Sequence, residues 1–476
     1  MTSRATQQRI PTPSPRRLAI LRSAIALIAA TALVTAASAQ DAPAPPPLSF
    51  LKDLAPVLVQ NCIACHNAKK SEGKYVMTTF AQLAKGGKAG QGANLVGGDP
   101  DASYFVELCR VDGEPRMPWK MDPLPAGQIA LIERWVKEGA KYDGADPAEE
   151  WLVPLRKANP PAIPAAYPAP VPITALAFAP GGSRLVTAGY HEVNAWDVAD
   201  GKFANRTPGL AERTHDVAYS ADGKWFAAAG GDPGQYGSVR LWSVDADGAL
   251  APAREFAETI DTALAVGFSP DGTKLAAAGA DRAVRIWEVA TGKELMVIED
   301  HADWILDLAW SPDGKRIATA SRDKTSKVFD AEKKEVLATF PGHGDAVTCV
   351  AFTPDGKLVV SGGNDNVLRV WNPDDDGKQV RVVGGFGAAP FRLAFGPDGK
   401  TLAAAGADKV VRVFEDFNPK HALAGHADWV YSLAFAPDGK TLASGAWDGE
   451  VRTWSIPDGK PLRQFVAAPG LAEPRK

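Results

Sequence analysis

One phrase recurs seven times in the second half of this 476-residue chain. In its fullest form it reads apolar-Ala-Phe-x-Pro-Asp-Gly-Lys. Its glycine falls at Gly182, Gly223, Gly272, Gly314, Gly356, Gly399 and Gly439, at intervals of 40 to 49 residues. Each copy continues through a short apolar stretch to an aromatic residue: Trp196, Trp242, Trp287, Phe329, Trp371, Phe414 and Trp454. In five copies an aspartate stands six residues before that aromatic, at Asp281, Asp323, Asp365, Asp408 and Asp448. The short alternating runs predict strands, and Pro-Asp-Gly supplies the reversal between two of them. A single unit of this size leaves apolar surface uncovered. The units must therefore stack on one another, and a closed ring buries that surface while protecting the sheet edges.

The period, the Asp-Gly turns and the Trp-Asp-like endings resemble the WD40 repeat. The resemblance covers about residues 172–467 and implies an all-β, seven-bladed propeller. Gly-His pairs typical of the family stand at Gly342-His343 and Gly425-His426, with His301 in the matching place. In the family this histidine bonds within its blade, so all three are expected to be structural. Units one and two depart from the pattern because they lack the aspartate at its usual spacing. The last unit has its own candidate outer strand at 461–466, and the segment before unit one is rich in proline. A strand shared between the ends of the ring is therefore not expected. One inner-strand position per unit is expected to face the central channel: Ala175, Asp216, Ala265, Asp307, Cys349, Arg392 and Ser432. Their mixed charge implies a solvated channel. Trp304, Trp429 and Trp447 fall in loops that the family places on one face. Exposed tryptophans are common anchors of interfaces, so these three are the candidate partner-binding residues.

The chain begins differently. Residues 1–39 hold five arginines and no acid, followed by an uncharged run that ends Ala37-Ser38-Ala39. This describes a secretory signal peptide cleaved after Ala39. The run is shorter than the roughly 20 strongly apolar residues of a membrane span, so the mature chain is expected to have none. Residues 40–47 read as a flexible leader, and residues 143–171 as a proline-rich linker. Residues 468–476 form a tail. Lysines and arginines number 52 against 56 acids, a balance that excludes the basic footprint of a nucleic-acid binder.

Between leader and linker, residues 48–142 contain Cys62-Ile63-Ala64-Cys65-His66. Cys-x-x-Cys-His reads as a c-type heme attachment site, with two thiols spaced for two thioether bonds and a histidine next to them for the iron. A redox dithiol would want a βαβ flank, which is missing. A zinc knuckle would need a second pair of ligands, and a disulfide would need neither. A helix with Leu54, Val57 and Leu58 on one face is predicted before the motif, with Pro56 in its first turn. A second is predicted over about 126–139, with Ile129, Leu131, Ile132, Trp135 and Val136 on one face and Gly139 as its stop. Met117, in Arg116-Met117-Pro118, is the candidate second axial ligand, and Met121 is its rival; Met77 reads as packing.

Gly86-Gly87, Leu95-Val96, Gly98-Asp99, Met117-Pro118 and the ending from Trp135 to Gly139-Ala140 make this segment resemble the planctomycete cytochrome c domain. Trp119 stands where that family has a second proline. The resemblance implies a small all-α domain with one covalently attached heme c. The whole chain then reads as an exported, periplasmic electron carrier whose propeller docks a redox protein or another periplasmic protein. Two further readings stay open. One is an oxidoreductase whose propeller holds substrate and whose heme removes electrons. The other is a heme-based redox-sensing scaffold. A carrier or binding protein is favoured over a stand-alone enzyme.

Overall fold

The computed structural model describes residues 46–63, 65–67, 72–87, 93–113, 115–118, 122–148, 150–151, 163–233, 236–256 and 261–471. Residues 1–39, which the sequence reads as a signal peptide, Trp119 and Met121 lie outside the described residues. The chain divides into two compact units, residues 1–159 and 160–476.

The first unit is built from short helices joined by irregular segments. A wide π-type turn over Phe50–Leu54 runs into α1, Ala55–Asn61. Ser49 starts the turn by accepting a bond from the Lys52 N–H, and Pro56 sits at the start of α1. The expected face is the buried one: Leu54, Val57 and Leu58 all point into the core. Two further helices follow, α2 at Phe80–Lys85 and α3 at Tyr104–Cys109. The predicted terminal helix is α4, Ala126–Lys137. It buries Ile132, Trp135 and Val136, and Gly139 follows with φ +108°, a conformation that stops a helix at little cost for glycine. Phe50 stands at the centre of this core, with the rings of Phe80, Trp135, Tyr142 and Trp151 all within 6 Å of its own.

Trp151 corrects the sequence reading. The linker assignment of 143–171 includes it, yet it is fully buried in this core. Its indole N–H donates to the Met77 carbonyl at 2.6 Å, and its backbone N–H to the Thr78 carbonyl at 3.1 Å. The helical core therefore includes Trp151, although residues 145–148 and 150 are exposed.

The second unit is a seven-bladed propeller. Each blade is a four-stranded antiparallel sheet of consecutive strands. The recurring glycines are all at φ between +67° and +73°, where the chain reverses between the first and second strands. In six blades the preceding aspartate fixes the reversal; in the first blade Gly181 stands in its place. Asp222, for example, accepts from the Ser220 hydroxyl at 2.7 Å and the Lys224 N–H at 3.1 Å. The seven recurring aromatics are all buried. Runs of alanine on the second strands, such as Ala276–Ala278 and Ala403–Ala405, let neighbouring sheets approach closely.

The histidines are structural where they pair. His301 spans Asp323 and the Thr319 hydroxyl, both at 2.7 Å. His343 does the same with Asp365 at 3.0 Å and Ser361 at 2.8 Å. His426 bonds Ser444 at 2.7 Å but meets no carboxylate.

The ring closes without a shared strand. The first sheet runs over 176–208 and the last over 430–466, each complete in itself. They meet side by side. Trp196 packs on Phe465 at 5.1 Å, and the Ser432 hydroxyl donates to the Ile173 carbonyl at 2.8 Å. Tyr167 adds a latch, with its N–H on the Pro469 carbonyl at 3.1 Å and its hydroxyl on buried Glu192 at 2.6 Å.

Candidate functional site

Two places concentrate chemistry, one in each unit. In the first, α1 delivers the cysteine motif. The Cys62 N–H still bonds to the Leu58 carbonyl, and the chain then turns so that the Cys65 and His66 N–H groups both donate to the Cys62 carbonyl at 3.1 Å. No disulfide joins the cysteines among the described residues. Burial first, and Cys65 second, push the Cys62 thiol up to about 12. His66 is buried, and its Nδ1 lies 3.2 Å from the Tyr75 carbonyl. A carbonyl only accepts, so Nδ1 carries the proton and Nε2 keeps a lone pair. Tyr75 is itself fixed, donating to the Leu83 carbonyl at 2.8 Å and accepting from Asn94 at 2.8 Å. Two sulfurs three residues apart and an imidazole with its Nε2 lone pair held ready are the donor set a c-type heme requires.

Met117 is half-buried and anchored by its N–H to the Leu108 carbonyl at 2.7 Å. Met77 is 4% exposed within the core, as packing requires. Cys109 is a buried residue of α3.

The second place is a cavity of about 810 Å³ at the mouth of the propeller channel. Its wall adds to the expected channel position a second set of residues, one place earlier. The side chains that line it are Thr174, His215, Leu264, Leu306, Thr348, Phe391 and Tyr431, each one place before the expected residue. In six blades the pairing of the first strand skips this residue: Val430 pairs with Ala446 and Ser432 with Gly445, leaving Tyr431 unpaired. His215, Leu264, Leu306, Thr348 and Phe391 are skipped in the same way. Such a β-bulge turns one extra side chain toward the channel and shifts the alternation of faces that follows it.

Six of the seven expected channel residues are buried, and Asp216, Asp307 and Arg392 meet across the ring, as residues facing the channel must. Arg392 reaches the cavity floor, where its guanidinium bridges the carboxylates of Asp216 and Asp307. Backbone N–H groups of Val266 and Val350 hold those two acids at 3.0 Å. Burial, with Asp216 adding to it and Arg392 opposing, raises Asp307 to about 6. The expectation of a solvated row of mixed charges gives way to an ion-paired floor.

Residues 62–119 match the family model of planctomycete cytochrome C. Segments 258–288, 292–330, 334–372, 377–415 and 417–455 match the WD domain, G-beta repeat. The chain joins a planctomycete-type cytochrome c segment to a seven-bladed WD40 propeller. The first two blades of this WD40 ring lie before the matched segments; unit two and unit one are also the copies that lack the recurring aspartate. The cytochrome c segment and the WD40 repeats together point to heme binding and to a protein-interaction scaffold.

Among curated relatives, an uncharacterized WD repeat-containing protein of Synechocystis sp. is 33% identical over 137 residues, covering 27% of this chain and 35% of that one. A probable serine/threonine-protein kinase of Thermomonospora curvata is 46% identical over 43 residues, 9% of this chain and 6% of that one. An intraflagellar transport protein 122 homolog of Danio rerio is 36% identical over 75 residues, 16% of this chain and 6% of that one. The matched stretches span about a third or less of these relatives' own length. Among the described residues, no helix is long and apolar enough to cross a membrane.

The three tryptophans singled out in the WD40 loops are all exposed, Trp304 at 38%, Trp429 at 45% and Trp447 at 47%. Trp447 lines the cavity. Trp429 stands 6.1 Å from Phe391, and Trp304 carries the guanidinium of the cavity residue Arg322 at 4.5 Å. Sequence reasoning missed Phe391, Tyr431, Arg213 and Arg322. One signal was present: Trp429-Val430-Tyr431 alternates around a buried valine, which sets both aromatics on the opposite face.

Proposed function

We propose that the mature chain is an exported c-type cytochrome that carries single electrons through one covalently attached heme c, and that its propeller docks a protein partner. Residues 48–142, with Trp151 closing the core, would form the heme domain of all-α cytochrome type, and residues 172–467 the docking ring. The signal peptide would place the mature protein in a periplasm. The observation that carries the reading is His66: its Nδ1 is committed to the Tyr75 carbonyl, which orients the ring and leaves Nε2 for the iron.

Cys62 and Cys65 would hold the group by thioether bonds, next to His66 in the chain. Met117 would be the second axial ligand, with Met121 as its rival. When bound, such a heme supplies one-electron chemistry at a potential raised by the methionine sulfur.

The test is heme staining of the exported protein on a denaturing gel. Wild type stains; Cys62→Ala with Cys65→Ala does not. Staining that survives the double substitution overturns covalent attachment. Loss of the sulfur-to-iron charge-transfer band in Met117→Leu assigns the axial methionine, and an unchanged band transfers the role to Met121.

The channel cavity favours one second reading, since about 810 Å³ lies in the range that small molecules occupy. In that reading the propeller binds substrate and the heme is the electron outlet. Rapid carbon monoxide binding by the reduced protein would mark an open iron position and favour it over simple electron transfer.

A further inference from the structure

The cavity at the mouth of the channel is aromatic on one side and polar on the other. Blades six and seven supply Phe391, Tyr431 and Trp447. The first two rings are nearly parallel, 4.9 Å apart at 15°, and Trp447 tilts against Tyr431 at 5.5 Å. Trp447 is exposed, so part of this aromatic surface is uncovered. Blades one and five and the start of blade two supply Tyr190, Asn364, Glu212 and Arg213. These four are exposed, and their side chains enter no hydrogen bond or ion pair among the described residues. The wall carries no unbalanced positive charge. Arg392 is held by Asp216 and Asp307, Arg322 has Asp303 at 3.8 Å, and Arg213 stands beside Glu212 in the chain. His215 is uncharged near neutral pH, because burial first and Arg213 second hold it down to about 4. An anion brought here meets Glu212, and a cation meets Arg213 and the guanidinium of Arg392.

Three requirements describe the occupant. Charge balance asks for a neutral molecule. The aromatic side asks for a flat apolar face. The unpaired polar groups ask for several hydroxyls, because Arg213 only donates, the Glu212 carboxylate only accepts, and Asn364 and Tyr190 do both. An apolar ligand laid over them would strip their water and return no hydrogen bond. A sugar ring meets all three requirements: its C–H groups lie on its faces, and its hydroxyls, each both donor and acceptor, surround its edge. A planar aromatic diol meets the first two but brings two hydroxyls to four polar residues. The cavity, about 810 Å³, is larger than a single sugar ring fills and lies within the roughly 300–1,000 Å³ of small-molecule sites.

We propose that the channel cavity binds a neutral carbohydrate, a short oligosaccharide. One ring packs its face on the surface made by Phe391, Tyr431 and Trp447, and the hydroxyls bond to Tyr190, Glu212, Arg213 and Asn364. This names a ligand class for the second reading above, in which the propeller takes the substrate, and it concerns binding alone. Arg392 is kept at the floor by its two aspartates and shapes the site without supplying a free charge.

The experiment is calorimetric titration of the full-length holoprotein with cellotriose, maltotriose and xylotriose. At least one binds with a Kd below about 1 mM. Its affinity changes by less than about twofold between about 0.05 and 0.5 M salt, as binding of an uncharged ligand requires. Trp447→Ala, at an exposed loop position, weakens that sugar by at least about tenfold. Glu212→Ala with Asn364→Ala, both exposed, weakens it by a similar factor through lost hydrogen bonds. Val380→Ala, on an exposed outer strand, leaves it unchanged. No binding of any of the three at about 10 mM, a strong salt dependence, or binding indifferent to both cavity variants overturns the proposal. Hydroquinone binding more tightly than all three sugars overturns it in favour of a planar aromatic ligand. The heme gives a separate readout. A sugar that binds without reducing the oxidised heme keeps this site and removes the oxidoreductase reading. Failure to bind removes this site, and the carbon monoxide test still decides that reading.

Discussion

The two units hold their chemistry in opposite ways. In the helical unit it lies on five consecutive residues, presented by one helix end and one turn. In the propeller it lies on single residues that are about forty positions apart and meet only when the ring closes. A contiguous motif is read from the chain without knowing the fold. A distributed site needs the register of every strand, and one skipped residue per blade moves the whole set. Tyr431 and Ser432 illustrate this: the first is in the cavity wall and the second is buried.

The largest expected effect tests the local side of this contrast. Cys62→Ala with Cys65→Ala abolishes covalent heme and leaves the melting of the propeller unchanged. A propeller destabilised by that change would mean the units are not independent. The next test concerns cores. Trp135→Ala in the helical unit and Trp371→Ala in the ring each cost about 3–5 kcal/mol. Calorimetry should show each substitution moving a different transition, and one shared transition would erase the distinction.

The third effect belongs to the ring alone. Burial first and Arg452 second hold His426 down to about 4, against an ordinary 6.5. Above 6.5 it is neutral in both the folded and unfolded chain. Between 6.5 and 4 the unfolded chain takes up the proton first, so folded stability falls as pH falls. At about 1.4 kcal/mol per unit, the loss reaches about 3 kcal/mol near pH 4. Denaturant titrations across that window should show a shallower slope in His426→Gln; the same slope would discard the assignment. The smallest effect is at the surface. Trp304→Ala changes stability by less than about 0.5 kcal/mol while leaving Arg322 without its aromatic face. A larger loss in the melting curve would make Trp304 a packing residue.

Much of the architecture was legible in the chain. Seven glycine turns, five of them Pro-Asp-Gly, and seven aromatic endings place every blade, because each unit repeats nearly the same local chemistry. Leu54, Val57 and Leu58 mark the face of α1 through helical spacing alone. Trp151 was not legible, since its partner carbonyl on Met77 is 74 residues away and nothing nearby in the chain signals the contact. The residues at the mouth of the channel were missed for a different reason. Strict alternation assumes two residues per repeat of the pleat, and Val430, Tyr431, Ser432 and Leu433 run buried, half-buried, buried, buried. The bulge is the cause of that broken pattern.

Because no strand crosses the seam between the last blade and the first, the point where the ring begins is free to move. The backbones of Tyr167 and Pro469 already touch there. A circular permutant with a short joint between those two residues, and new ends at any other boundary between blades, would keep all 28 strands in their present sheets. Likewise, a whole blade could be gained or lost in one duplication or deletion without cutting a sheet. In this ring the blade is at once the unit of architecture and the unit of descent.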